Sequence, residues 1–172
     1  MIRAVRFSLV LVVLLTIQTT WMADLRPFGV VGDLLLLLAI AGGMAAGPVR
    51  GATVGFIAGF ALDLVLLTPL GLAALTYLAV GYAVGTVHDG VLRSAPWIPV
   101  LVTFVASAVG VGFYVVLGQL MGQQFRLPDL ARIVLVTSTI NAFLAVPALH
   151  AMRWVEKSAP DRMLGQPARS FR

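Results

Sequence analysis

Six apolar runs follow one another along this chain with little polar sequence between them, at about 5–23, 30–46, 51–67, 71–87, 97–117 and 130–152. A helix needs roughly 20 apolar residues to cross a bilayer. Lipid offers no hydrogen-bond partner to backbone outside a helix or a closed barrel. The pattern therefore predicts an all-α integral membrane protein of about six transmembrane helices in one bundle. The composition agrees. Of 172 residues, 60% are hydrophobic and only 11% are charged, and the mean hydropathy is +1.00. A water-soluble domain of this size has no way to hide so much apolar surface. The second and third runs are short, which leaves five spans and one re-entrant segment as an alternative.

Proline and charge organise the runs. Thr68-Pro69-Leu70 separates the third from the fourth, Pro96 and Pro99 open the fifth, and Pro147 predicts a kink in the sixth. Arg3 and Arg6 precede the first run, as they would in a signal peptide. Trp21 would then fall at −3 to a cleavage after Ala23, so a retained span is the better reading. With six spans, one side holds Arg3, Arg6, Arg50, Arg93, Arg153, Lys157, Arg162, Arg169 and Arg172, and the other holds Arg26, Arg126 and Arg132. Basic residues near span ends prefer the cytoplasm. The asymmetry predicts a multi-pass inner-membrane protein with both termini cytoplasmic. Residues 1–152 are then the membrane domain, and 153–172 a basic cytoplasmic tail held near anionic lipid. Trp21, Trp97 and Trp154 lie near span ends and suit interfacial anchoring. The net charge of +5 sits in short loops and the tail, which is a product of topology and not a nucleic-acid footprint. The external loops, about 24–29, 68–70 and 118–129, are short.

The chemistry of an enzyme is missing. There is no cysteine, one glutamate (Glu156), one lysine (Lys157) and two histidines (His88 and His150). No phosphate-binding glycine loop precedes the lysine, and neither a G-x-S-x-G elbow nor an H-E-x-x-H pair occurs. The sequence predicts no catalytic residue, cofactor or metal. His88 and Asp89 read as solvated neighbours of lipid headgroups, and His150 as a snorkelling interface residue.

The informative stretch runs from Gly43 to Gly85. Glycines recur every four residues at Gly43, Gly47, Gly51, Gly55 and Gly59, and Asp63 is the next member of the series. Gly81 and Gly85 repeat the spacing on the fourth run. Small residues on one helix face let a second helix approach closely. Gly51, Gly55, Gly59, Asp63, Gly81 and Gly85 are therefore candidates for helix packing or a partner contact. An acid within a span needs a partner. Asp63 reads either as a structural acid bonded to a neighbouring helix or as a polar contact open to the outer face. Asp33 follows Gly32 and opens the run Leu34–Leu38, as a helix N-cap would. Both acids lie towards one membrane face, so Asp33 and Asp63 could flank a polar spot with Arg26 or Arg132 as counter-ion. Thr137, Ser138, Thr139 and Asn141 on the sixth run read as inter-helix hydrogen-bonding groups or, alternatively, as the lining of a small-molecule cavity.

This pattern resembles the family of the rod shape-determining protein MreD. The resemblance is carried by Gly32-Asp33 before Leu34–Leu38, by Gly47-Pro48-Val49-Arg50-Gly51, and by Gly55-Phe56-Ile57-Ala58-Gly59-Phe60-Ala61-Leu62-Asp63-Leu64. It continues in Thr68-Pro69-Leu70-Gly71-Leu72 and closes with Val80-Gly81-Tyr82-Ala83-Val84-Gly85. The resemblance implies a non-enzymatic membrane scaffold of the cell-wall elongation machinery, maintaining rod shape and supporting peptidoglycan synthesis. It implies as partners an MreC-like bitopic protein, a RodA-type glycosyltransferase with its penicillin-binding transpeptidase, and indirectly the actin-like MreB. The family's fold is similar to the six-helix substrate-binding subunits of energy-coupling-factor transporters. That similarity supplies the alternative, a small-molecule-binding transport subunit, against which the short external loops, poor in aromatics, argue.

Overall fold

The structure is a computed structural model, and it describes residues 2–21, 32–66, 69–87, 97–123 and 127–157. Regular structure among these residues is entirely helical. Helix α1 covers Ile2–Thr16 and widens into a π-helical turn over Ile17–Trp21. It is followed by α2 (Leu34–Ala46), α3 (Pro48–Leu66), α4 (Leu72–Thr86), α5 (Ile98–Leu120), α6 (Leu127–Phe143) and α7 (Ala145–Glu156). Expectations that concern Arg26, Thr68, His88, Asp89, Arg93, Arg126 and the tail from 158 onward fall outside the described residues.

Among the described residues, three helices are long and apolar enough to cross a membrane: Ile2–Thr20, Pro48–Leu66 and Ile98–Leu120. The pair α6 and α7 makes a fourth if it is counted as one broken span. The shorter apolar helices are α2, with 13 residues, and α4, with 15. At 1.5 Å per residue they reach about 20 and 22 Å, against a hydrocarbon core of about 30 Å. The third run is thus longer than its apolar stretch suggested, because Pro48 fits the first helical turn and Val49-Arg50 continue it. The second and fourth are the short ones, the fourth because its first helical residue is set by the turn at Gly71.

The sixth run is not one helix. Its two parts are bent by 56°. The break is at Leu144, whose N–H still closes α6 on the Ile140 carbonyl while its own carbonyl receives Ala148 and opens α7. Pro147 supplies the reason. It has no N–H to donate to the Phe143 carbonyl, and its ring would clash there in a continuous helix. In the first turn of α7 the missing donor costs nothing. Helix α7 then runs on to Glu156, beyond the expected span end at Met152.

Helix α2 is the centre. Every residue from Leu34 to Met44 is buried. The segment is apolar all round, so it has no face to offer water and is covered on all sides, here by α1, α3, α4, α5 and α7. Leu35, Leu38 and Ile40 pack in one cluster with Ala58, Tyr77, Val84 and Met152. The outward faces carry exposed apolar side chains suited to lipid. Examples are Val5, Leu9 and Val12 on α1, the stacked pair Phe56 and Phe60 on α3 (centroids 6.0 Å apart), and Leu101, Val105 and Val109 on α5.

The two ends of the described chain meet. The Arg6 guanidinium donates to the carbonyls of Trp154 and Lys157, at 3.1 Å each, and lies 4.8 Å from the centre of the Trp154 ring. Helix C-termini leave carbonyls without intrahelical partners, so this arginine closes α7 as well as tying it to α1. Beside it, Arg50 at the start of α3 pairs with Glu156 at 2.6 Å. These contacts define a terminal end of the bundle; Gln18, Asp33 and Asn141 meet at the opposite, distal end. Since the chain has no cysteine, single introduced thiols can test this arrangement. Arg3→Cys and Lys157→Cys should both react with a membrane-impermeant maleimide applied to the same side. Labelling from opposite sides would contradict the Arg6–Trp154 contact.

Candidate functional site

Helices α2, α3 and α4 pack backbone against backbone, and glycine makes this possible. A Cβ added to Gly51 would overlap the Gly81 carbonyl and come within 2.7 Å of the Gly43 Cα. One added to Gly55 would overlap the Tyr77 carbonyl, and one on Gly59 the Ala73 carbonyl. From the other side, a Cβ on Gly81 would strike the Gly51 carbonyl, and one on Gly85 would strike Pro48. Gly43, Gly51 and Gly81 therefore form a point where three helices touch without side chains. Where lipid removes the hydrophobic drive between helices, such close approach supplies dispersion contact in its place. The candidate residues Gly51, Gly55, Gly59, Gly81 and Gly85 are all buried in this seam.

Asp63 closes the seam at the distal end. It is 1% exposed. Its carboxylate accepts from the N–H of Gly71 at 3.0 Å, of Ala73 at 3.1 Å and of Ala74 at 3.2 Å. These are the donors that the start of α4 leaves without intrahelical acceptors. Gly71 occupies the N-cap position with φ +96°, a conformation that favours glycine, and it has no side chain with which to cap. The preceding helix supplies the cap instead, eight residues upstream. The negative charge also faces the positive end of the α4 dipole. Gly59 is part of the same device, because its missing side chain lets Ala73 and Ala74 come close enough for Asp63 to reach.

Asp33 does the equivalent for α2 and gathers further helices around it. Its Oδ1 accepts from the Leu36 N–H at 2.9 Å, and its Oδ2 accepts from the Tyr77 hydroxyl at 2.5 Å. Its own N–H donates to Asn141 Oδ1 at 3.2 Å, and Asn141 Nδ2 donates to Ser107 Oγ at 3.0 Å. On the other flank, the Gln18 amide donates to the Gly32 carbonyl and accepts from the Leu34 N–H, both at 3.0 Å. One hydrogen-bonded chain thus links α1, α2, α4, α5 and α6. Gln18 lies in the π-helical turn of α1, a distortion often found where a helix is re-aimed for a contact.

A cavity of about 230 Å³ opens beside this network. It is lined by Gln18, Asp33, Tyr77, Tyr114 and Thr137 among polar residues and by Leu36, Leu62, Leu66, Val111 and Ile133 among apolar ones. Asp33 and Asp63 are therefore at the same end but in different settings, Asp33 at the cavity and Asp63 turned into the α4 cap. Arg132 is exposed on α6 and forms no ion pair among the described residues. Ser138 is fully buried, and its hydroxyl has no hydrogen-bond partner among the described residues. No group of three or more potential metal ligands occurs among the described residues.

Sequence reading missed Tyr77, Gln18 and Ser107. Tyr77 carried a usable signal: it stands one turn before Gly81 and two before Gly85, so it continues their face and points its hydroxyl along α2. Gln18 and Ser107 carried none beyond being polar within apolar runs.

The family model described as rod shape-determining protein MreD matches residues 1–151. The chain belongs to the MreD family. Comparison with curated proteins and with solved structures finds no match. The match takes in α1 to α6 and most of α7, and so both caps, the glycine seam and the distal cavity. Membership makes this an inner-membrane protein with a role in determining rod shape, within the system that includes MreB and MreC. MreD proteins are shape-determining and structural, and Asp33 and Asp63 fit that description because each is engaged in holding a helix start.

The caps and the seam are separable by mutation. Asp63→Asn keeps an acceptor and should fold with little loss. Asp63→Leu leaves several buried N–H groups without acceptors, at about 1–3 kcal/mol for each. Gly59→Leu drives a side chain into the Ala73 backbone and should prevent the α3–α4 hairpin from closing. Phe60→Leu, on the exposed face next door, should stay within about 0.5 kcal/mol of wild type. Thermal unfolding in detergent measures all four. Equal melting temperatures for Gly59→Leu and Phe60→Leu would refute the seam.

Proposed function

We propose that this MreD-family chain is a non-enzymatic scaffold of the cell-wall elongation machinery. It binds an MreC-like bitopic partner and through it supports a RodA-type glycosyltransferase and a penicillin-binding transpeptidase, with MreB engaged indirectly. The family match over residues 1–151 carries this reading. The internal chemistry supports it, because the acids and the glycine seam hold the bundle together and leave apolar outer faces for lipid and partner helices. A partner helix then meets one of those outer faces and not the buried glycines.

The same reading gives six crossings with both termini in the cytoplasm. The nine-to-three distribution of basic residues favours it, as does the contact between α1 and the end of α7. The short helices α2 and α4 cross because they are shielded by longer neighbours and because their distal ends are capped from within. The basic segment that follows α7 is then the cytoplasmic tail, shorter than the expected 153–172 because α7 runs on to Glu156.

Depleting this protein should turn rod-shaped cells round, and the wild-type chain should restore them. An affinity-tagged copy should recover a single-span protein with a large external domain from detergent-solubilised membranes. Rods that persist after depletion, with no such protein recovered, would overturn the scaffold reading.

A further inference from the structure

The distal cavity has the make-up of a cation pocket. Asp33 stands on its wall with a carboxylate that accepts from Leu36 and Tyr77, and no cationic side chain pairs with it among the described residues. Two neutral donors leave a carboxylate with lone pairs to spare. A charge held in the membrane region of a bundle is costly unless it is paired or hydrated. The remaining lining divides into polar groups, Gln18, Tyr77, Tyr114 and Thr137, and an apolar wall of Leu36, Leu62, Leu66, Val111 and Ile133.

The size and division of the lining choose between cations. A bare metal ion needs several converging oxygens at short range. Here the Gly32 carbonyl is already bonded to Gln18, and about 230 Å³ is far larger than one ion. An organic ammonium fits better. Its N–H groups find the Asp33 carboxylate and the hydroxyl oxygens, the tyrosine rings attract its charge, and its carbon chain lies on the leucine and valine wall.

We infer that the cavity bounded by Asp33, Tyr77 and Tyr114 binds a primary ammonium group carried on a short alkyl chain. Such a group is offered by an ethanolamine phospholipid headgroup and by small free amines. The site stands independently of the scaffold role.

The test uses the full chain in detergent, with two probes. One is phosphatidylethanolamine against phosphatidylglycerol of the same acyl chains, scored by native mass spectrometry. The other is free ethanolamine, scored by its effect on the melting temperature. Two variants accompany the wild type. Asp33→Asn removes the charge, while its Oδ1 can still cap α2 and its amide nitrogen can donate to the Tyr77 hydroxyl oxygen. Val111→Phe fills the cavity from α5 and leaves the cap untouched. The wild type should retain the ethanolamine lipid in preference to the glycerol lipid, or be stabilised by free ethanolamine. Both variants should weaken the effect about tenfold or more, as expected when one member of a sheltered charge pair is lost or its space is filled. Retention of the lipid alone identifies a headgroup as the source, and stabilisation by ethanolamine alone identifies a soluble amine. Should Asp33→Asn fail to fold, Val111→Phe decides. Equal retention of the two lipids together with no response to ethanolamine overturns the inference, and so does binding unchanged in every variant that folds.

Discussion

Hydrocarbon offers the N–H groups at a helix start nothing to bond, so every helix that begins within the membrane region must find acceptors inside the protein. Two helices here face that constraint most acutely, α2 and α4, because both are short and lie against several neighbours. Each is closed by a carboxylate. Asp33 caps its own helix, and Asp63 caps the helix that follows it. The remainder of the distal end is arranged so that these two side chains reach their donors.

Each cap imposes conditions on residues far from it. For Asp63 to reach Ala73 and Ala74, α3 and α4 must touch at the backbone, which calls for glycine at positions 51, 55 and 59 and again at 81 and 85. Tyr77 is then fixed twice: its carbonyl sits on Gly55, and its hydroxyl reaches Asp33. The seam and the Asp33 network are thus a single mechanical unit, joined through one tyrosine. The terminal end is built on a different principle. There Arg6 and Arg50 meet the end of α7 through charge and exposed carbonyls, at a surface where water can share the contact.

The outcome is a bundle whose interior polar groups serve its own assembly and whose exterior is apolar. This division suits a member of a shape-determining system. The distal cavity is the exception, since its carboxylate faces open space as well as its own helix.

The sequence by itself determined much of this. Hydropathy pointed to an all-helical membrane protein, because backbone in lipid must close its hydrogen bonds in a helix or a barrel, and apolar runs this long are helical. Four-residue glycine spacing marked the faces that touch, since helical periodicity alone decides which residues share a face. Asp33 was readable as a cap because capping is local. Tertiary structure decided the rest. Asp63 accepts from N–H groups eight to eleven residues later, a relation that exists only after the Gly71 turn folds α4 back onto α3. Tyr77 meets Asp33 across 44 residues, and Asn141 meets it across 108. No local pattern encodes such distances. The sixth run is a middle case. Pro147 announced a distortion in the sequence, but its 56° extent depends on how α7 packs against α2 and on where Arg6 holds its end.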